Sequence, residues 1–506
     1  MEQDLNIYSQ KKTKYNYYLI ILLVCASIFM LAKTYADPDL WGHLQFGLDQ
    51  VETRKIIQVD QYSYNSAGQD WINHEWLAEV LFAIAWSAGN APGLVILKTI
   101  TGLLTIGIIY KYFISIQINY IVAALMVLLM GVSLFIVFYV SVRPQIFTFL
   151  FLAVELLIIR MAEKASYRWL WVMPVVILFW VNLHGGVIAG IGILCIWLPI
   201  HLFFNKNMWR KSIPPIVLSL AMLLINPYGI DLITFLLRTT LVPRSEISDW
   251  QPLILFSIAG FMYCLTLVLS IGGLIFSSKQ RKPVPLILFG VFVILPWMAN
   301  RHLPLFSIAA LILMGEHVAS ACKKLIPDEI ISTTDSFLRN GLYTLMSVIL
   351  IFMTFSLNYW QVKIEKSVFD VPGTAVSLLK RSNVSGNLVT EFDWGQYIIW
   401  HLGPQIKVSI DGRRETVYTE TAYKQALSFM FGTGEWDAIL EQYNTDIALV
   451  KMNSSAYNLL KLSPGWVIVF EDSKSVLFLN EKSPIADTLK RTAAEFNPPE
   501  MLSYFP

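Results

Sequence analysis

The sequence predicts an α-helical polytopic membrane bundle of about 11 transmembrane helices, followed by a C-terminal soluble α/β domain. Three observations predict it. The chain is 55% hydrophobic and only 15% charged over its 506 residues. Apolar runs of roughly 17 to 25 residues, the length a hydrocarbon core requires, recur through the first part of the chain. Beyond about residue 362 the pattern changes to short alternating helix and strand signals. A net charge of +2 says nothing about nucleic acid, and no such partner is expected. Cys25, Cys195, Cys264 and Cys322 lie in or beside apolar runs without paired spacing, which implies neither a disulfide framework nor a zinc site.

The spans read as 17–35, 92–113, 119–141, 145–161, 168–184, 187–204, 212–226, 255–277, 283–298, 303–319 and 340–359, with an amphipathic surface piece at 75–88. The first follows Lys11, Lys12 and Lys14 and reads as an uncleaved anchor, because the Ala36-Asp37-Pro38 exit lacks a small-x-small cleavage pattern. With a cytoplasmic N-terminus, the inner connections carry Lys111, the Arg160 to Arg168 group, Lys206 to Lys211, Lys279 to Lys282, and Lys323 with Lys324. The outer connections are poor in base, as the positive-inside rule requires. An odd number of crossings places the C-terminal domain, 362–506, outside. The first outer loop, 36–90, is counted with the membrane domain, 1–361.

That first loop opens with Asp37-Pro38-Asp39 and continues to His43. Two carboxylates one residue apart at a membrane surface can hold a divalent cation such as Mg or Mn, or place a general base beside a phosphate-bearing substrate. They can equally cap the helix that follows. The same loop holds Asp60 and Asn73-His74-Glu75-Trp76. Later spans exit at Arg143-Pro144-Gln145, Asn182-Leu183-His184-Gly185-Gly186, Asn226-Pro227-Tyr228-Gly229 and Asn300-Arg301-His302. Every polar cluster richer than plain lysine falls on one face, which predicts an outward-opening polar chamber. Arg143 and Arg301 would draw a phosphate into it through their forked donors. Each piece has a plainer reading: a snorkelling arginine, a tight turn, or a helix-end hydrogen bond for His184. No HExxH spacing exists, so histidine metal ligation is not indicated. The acidic, aromatic stretch Ser245 to Pro252 reads as an interfacial helix and turn, or as a sugar-stacking wall.

In the C-terminal domain the pattern gives helices at 372–381, 394–402, 419–431 and 435–442. Strands are expected at 386–390, 407–410, 446–450, 466–470 and 475–479. Asp411 and Arg413 follow directly after a buried-looking strand, where α/β sheets place ligand groups. A solvated turn holding an Asp-Arg pair is the alternative.

These motifs resemble those of the GT-C class of polytopic glycosyltransferases. They are most similar to a group of bacterial membrane proteins sharing PDxWWHL, HEWL, RPQ, NxHGG, NPYG and DGR motifs. Here they read Pro38-Asp39-Leu40-Trp41-Gly42-His43-Leu44, His74-Glu75-Trp76-Leu77, Arg143-Pro144-Gln145, Asn182 to Gly186, Asn226 to Gly229 and Asp411-Gly412-Arg413. Gly42 departs from the pattern, since the group often has a second Trp there, which would loosen an aromatic wall against the donor lipid. The resemblance implies a GT-C-like bundle in a bacterial cytoplasmic (inner) membrane, surrounded by lipid. It implies a sugar donor on polyprenyl phosphate and a glycan, lipid or protein acceptor on the outer face. Asp37 and Asp39 take the catalytic positions, with a divalent cation compatible there but dispensable in many enzymes of the class. His43, His74, Glu75, Arg143, Gln145, Asn182 and His184 are expected to bind substrate. So are Asn226, Tyr228, Arg301, His302, Asp411 and Arg413. A flippase for a lipid-linked sugar is a competing reading, disfavoured because the polar groups gather at one face instead of the midplane. A non-catalytic assembly factor with a partner-binding outer domain is the other.

Overall fold

In the computed structural model, residues 2–137, 140–240, 248–325, 336–365, 370–499 and 503–506 are described. The chain folds as two compact units, one of Met1–Thr34 with Pro92–Gln361 and one of Tyr35–Ala91 with Val362–Pro506.

The first unit is helical, and among the described residues a helix occupies each of the expected spans. Trp76–Ser115, Gln145–Lys164, Val187–Phe204, Ile258–Phe276, Asn300–Leu325 and Phe337–Ser356 are long and apolar enough to cross a membrane by length and composition. Tyr17–Ala32, Tyr120–Met130, Tyr167–Leu183 and Pro283–Met298 are shorter apolar helices at four more of those positions. The remaining span is the helix Trp209–Met222, which stops short of residue 226 because the Asn226 turn follows. The chain is a multi-pass membrane protein. Its helices expose apolar stripes, as a lipid solvent permits: along Ile258–Phe276, Ile258, Phe261, Val268 and Ile275 are all more than 60% exposed.

Two features of this unit were not legible beforehand. Polar clusters are not confined to one face: at the end of helix Gln145–Lys164 opposite Arg143, Arg160 donates to Glu163 at 3.4 Å and to Glu316 at 3.3 Å, and Tyr112 also donates to Glu316. These residues stand several positions apart in different helices, so no local motif announces them. In addition, Glu155 is wholly buried and neither carboxyl oxygen has a hydrogen-bond partner among the described residues.

Helix Trp76–Ser115 breaks at Gly89 and Asn90, where Asn90 takes φ 51°, a left-handed conformation, and Pro92 then restarts the helix. The expected amphipathic piece and membrane span are thus two helices separated at the boundary between the units.

The second unit combines two stretches of the chain. The first loop, assigned to the membrane domain, is compact with the C-terminal domain instead, because its polar backbone pairs there. Tyr64 N donates to Val408 O at 3.1 Å, and Val408 N to Tyr62 O at 3.2 Å, so residues 62–64 run along a sheet edge. That sheet has five strands in the order Ile406–Val408, Gly386–Thr390, Ile447–Lys451, Ser475–Asn480, Trp466–Glu471. The first three strands are mutually parallel, and Ser475–Asn480 runs antiparallel to both of its neighbours, Ile447–Lys451 and Trp466–Glu471. Helices Ser455–Leu460 and Ala486–Ala494 add to those expected. The loop itself contains a helix, Leu40–Thr53, that buries Leu40, Trp41, Leu44 and Phe46.

Candidate functional site

In the second unit the site is built on the start of helix Leu40–Thr53. Asp39 is its N-cap residue, but its side chain makes no capping hydrogen bond. Asp37 instead accepts from Asp39 N at 2.9 Å through Oδ1, which fixes the Asp-Pro-Asp bend. Asp37 is buried, 6% exposed, whereas Asp39 is half-buried. The Asp39 carboxylate lies against Gly412: a Cβ placed on that glycine would stand 2.2 Å from Oδ1. The late DGR motif therefore needs its glycine so that a carboxylate can approach the backbone.

One turn into the helix, His43 is held by acids. Its Nδ1 is 3.2 Å from Glu79 Oε1, and its Nε2 is 3.9 Å from Glu75. Burial opposes a charge on this imidazole, but the hydrogen bond to Glu79 and the charges of Glu75, Glu79 and Asp39 prevail and push its pKa up to about 9. Glu79, 2% exposed, also accepts from Asn73 at 2.6 Å and Gln50 at 3.2 Å. The sequence reading missed this residue. Its signal was present: a lone acid one helical turn beyond Glu75 on an otherwise apolar amphipathic helix. His74 faces Glu75 at 3.7 Å.

Asp411 and Arg413 were expected at a ligand position, and the structure buries both. Arg413 donates to Asp411 through Nε and Nη2 and to Asp60 through Nη1 at 2.7 Å, while Tyr418 donates to Asp411 at 2.7 Å. The guanidinium also lies over Trp71 at 4.9 Å, Tyr62 at 5.1 Å and Phe46 at 5.2 Å. Burial disfavours its charge, but Asp411 and Asp60 raise its pKa well above the usual value. This is a clasp between residues 46–71 and the turn after strand Ile406–Val408.

The membrane unit brings Arg143 and Arg301 to one short segment. Arg143 Nη1 donates to Asp249 at 3.1 Å, and the Arg301 guanidinium lies 4.5 Å over the adjacent Trp250 ring. The segment is anchored by Asn300 N to Gln251 O and by Leu253 N to Pro296 O. Of the acidic, aromatic stretch, residues 245–247 lie outside the described residues. Gln145 opens helix Gln145–Lys164 beside Arg143. The other expected residues of this unit lie at helix ends and in turns. Asn182 donates to Leu178 O and Ile225 O, both at 2.9 Å. His184 caps helix Met173–Leu183, its Nδ1 accepting from Gly186 N at 3.0 Å and contacting Thr148 Oγ1 at 2.8 Å. Asn226 closes its turn on Gly229 O and accepts from Tyr228 N. His302 Nδ1 donates to Leu295 O at 3.1 Å.

Among the described residues, no group of three or more His, Cys, Asp or Glu side chains could hold a metal ion. Asp37 and Asp39 offer a cation two carboxylates at most.

No protein-family model matches the chain, and no curated protein matches it. Solved structures do. ArnT from Cupriavidus metallidurans bound to undecaprenyl phosphate is similar with a TM-score of 0.53 and 12% identity, covering 92% of this chain and 98% of that one. The apo form of ArnT gives 0.54 and 10%, over 94% and 99%. The arabinofuranosyltransferase AftD from Mycobacteria gives 0.54 and 12%, over 92% of this chain and 40% of that one. At such identities the likeness is one of fold. The chain has a GT-C-like membrane fold with a small C-terminal sheet.

Proposed function

We propose that this protein is a glycosyltransferase that moves a sugar from a polyprenyl-phosphate donor to a hydroxyl of an envelope glycan, lipid or protein on the outer face of a bacterial inner membrane. The observation that carries the reading is the fold likeness to ArnT bound to undecaprenyl phosphate, which extends over nearly the whole of both chains. Asp39 is the general base. It is half-buried at a helix start, its side chain makes no capping hydrogen bond, and its carboxylate lies against the Gly412 backbone, with its charge also acting on His43.

In the transfer, the bond from sugar C1 to the phosphate oxygen breaks and the phosphate keeps the electron pair. The acceptor oxygen bonds C1, and its proton passes to the Asp39 carboxylate. The phosphate gains charge as it leaves, which fixed positive charge would stabilise; within the membrane unit Arg143 and Arg301 are the residues proposed to bind an anionic phosphate. An oxyanion, that of Asp249, already rests against Arg143. Asp37 braces the bend that presents Asp39, while His43, Glu75 and Glu79 hold the helix behind it. The test is incubation of purified protein with a panel of polyprenyl-phosphate sugars and an acceptor extract. Release of polyprenyl phosphate with glycosylated product supports the reading. Movement of the donor across the bilayer without bond cleavage would instead identify a flippase.

A further inference from the structure

Helix Gly395–Leu402 packs against helix Leu40–Thr53 and carries Gln396 in its first turn. Gln396 is 4% exposed, and its Oε1 has no hydrogen-bond partner among the described residues. Burying an amide without its bond is unfavourable, and methionine would fill the same space without that cost. The side chain runs between two glycines. A Cβ on Gly42 would stand 2.2 Å from Oε1 and 2.3 Å from Cδ. A Cβ on Gly412 would stand 2.8 Å from Nε2 and 2.2 Å from Asp39 Oδ1. The amide nitrogen and the carboxylate oxygen therefore crowd the same face of one glycine, while the amide oxygen points the other way. This also corrects the expectation for position 42: its open side is filled by Gln396, so Gly42 does not loosen a lipid wall, and a tryptophan there would collide with the amide.

We propose that Gln396 is a positioning residue for Asp39. The two are not hydrogen-bonded in this structure; the positive end of the amide dipole lies on the carboxylate's side of Gly412, orients it toward the acceptor hydroxyl, and favours the charged form that accepts the proton. The oxygen end is turned to Gly42 because the carboxylate repels it, and only a residue without Cβ accommodates it there. The inference rests on Asp39 as the general base.

The experiment is the pH–rate profile for donor cleavage in purified wild type, Gln396→Glu, Gln396→Met and Asp39→Asn. A second carboxylate beside Asp39 opposes its ionisation, so Gln396→Glu moves the acidic limb up by about one pH unit or more. Gln396→Met fills the space without an N–H and moves the limb the same way by less, with kcat reduced about 10-fold and KM unchanged. If Gln396→Glu fails to fold, the methionine variant alone decides. Asp39→Asn inactive with unshifted Gln396 variants overturns the positioning role alone. Asp39→Asn at wild-type rate overturns both this role and the base assignment.

Discussion

Asp39 stands where a helix begins, and the ordinary use of an aspartate there is to cap it. Its carboxylate is turned to Gly412 instead, and Asp37 supplies the bend's internal bond. Replacement by asparagine therefore separates the two roles. Asp39→Asn is expected to lower the transfer rate on the order of 100-fold or more with the melting temperature unchanged. Asp37→Asn keeps an acceptor for Asp39 N and is expected to cost much less, as read by the same assay. His43 gives a prediction in pH. Its folded pKa is raised from 6.5 to about 9, so the protonated imidazole contributes stability that is fully present below pH 6.5 and lost as pH rises through about 9. Thermal melts in detergent from pH 6 to 10 are expected to show this fall in wild type and to flatten in His43→Gln. A parallel fall in both would remove the charge from His43.

At the scale of elements, the Asp60–Arg413–Asp411 cluster joins the first loop to the sheet within one unit. Removing one member leaves buried charges unpaired, so Arg413→Met is expected to destabilise the unit by about 3–5 kcal/mol in chemical unfolding. A stable Arg413→Met protein with lost donor affinity would return Arg413 to the ligand role the sequence suggested. Glu75 opens the helix that carries Glu79 and faces both His43 and His74. Glu75→Ala is expected to raise KM more than it lowers kcat, and a kcat loss equal to that of Asp39→Asn would contradict a supporting role. The strands and helices of this unit were legible because period-2 and period-3.6 patterns are local. The clasp was not: Asp60 and Arg413 are 353 residues apart in sequence, and nothing local distinguishes a buried ion cluster from a solvated Asp-Arg turn. Gln396 escaped for the same reason, since the residues it meets lie in other segments, whereas Glu79 carried a local signal as a lone acid on an apolar helix.

For the whole molecule, the membrane spans were readable from hydropathy because lipid forces every backbone group into helix. Which polar ends belong together depended on packing: within the membrane unit Arg143 and Arg301 meet at Asp249 and Trp250, and Asn182 reaches Ile225 beside the Asn226 turn. The proposed orientation places Lys164, Arg210 and Lys282 in the cytoplasm and Gly68 and Pro506 outside. Reporter tags at those five positions check it, and a cytoplasmic Pro506 would remove one crossing. The most direct measurement of the proposed chemistry is single-turnover release of polyprenyl phosphate from a labelled polyprenyl-phosphate sugar, with wild type and Asp39→Asn side by side at matched folding. Wild type is expected to release it in step with acceptor glycosylation, and Asp39→Asn on the order of 100-fold more slowly. Equal rates in the two proteins, or no cleavage of any donor by wild type, would contradict a glycosyl transfer driven from this carboxylate.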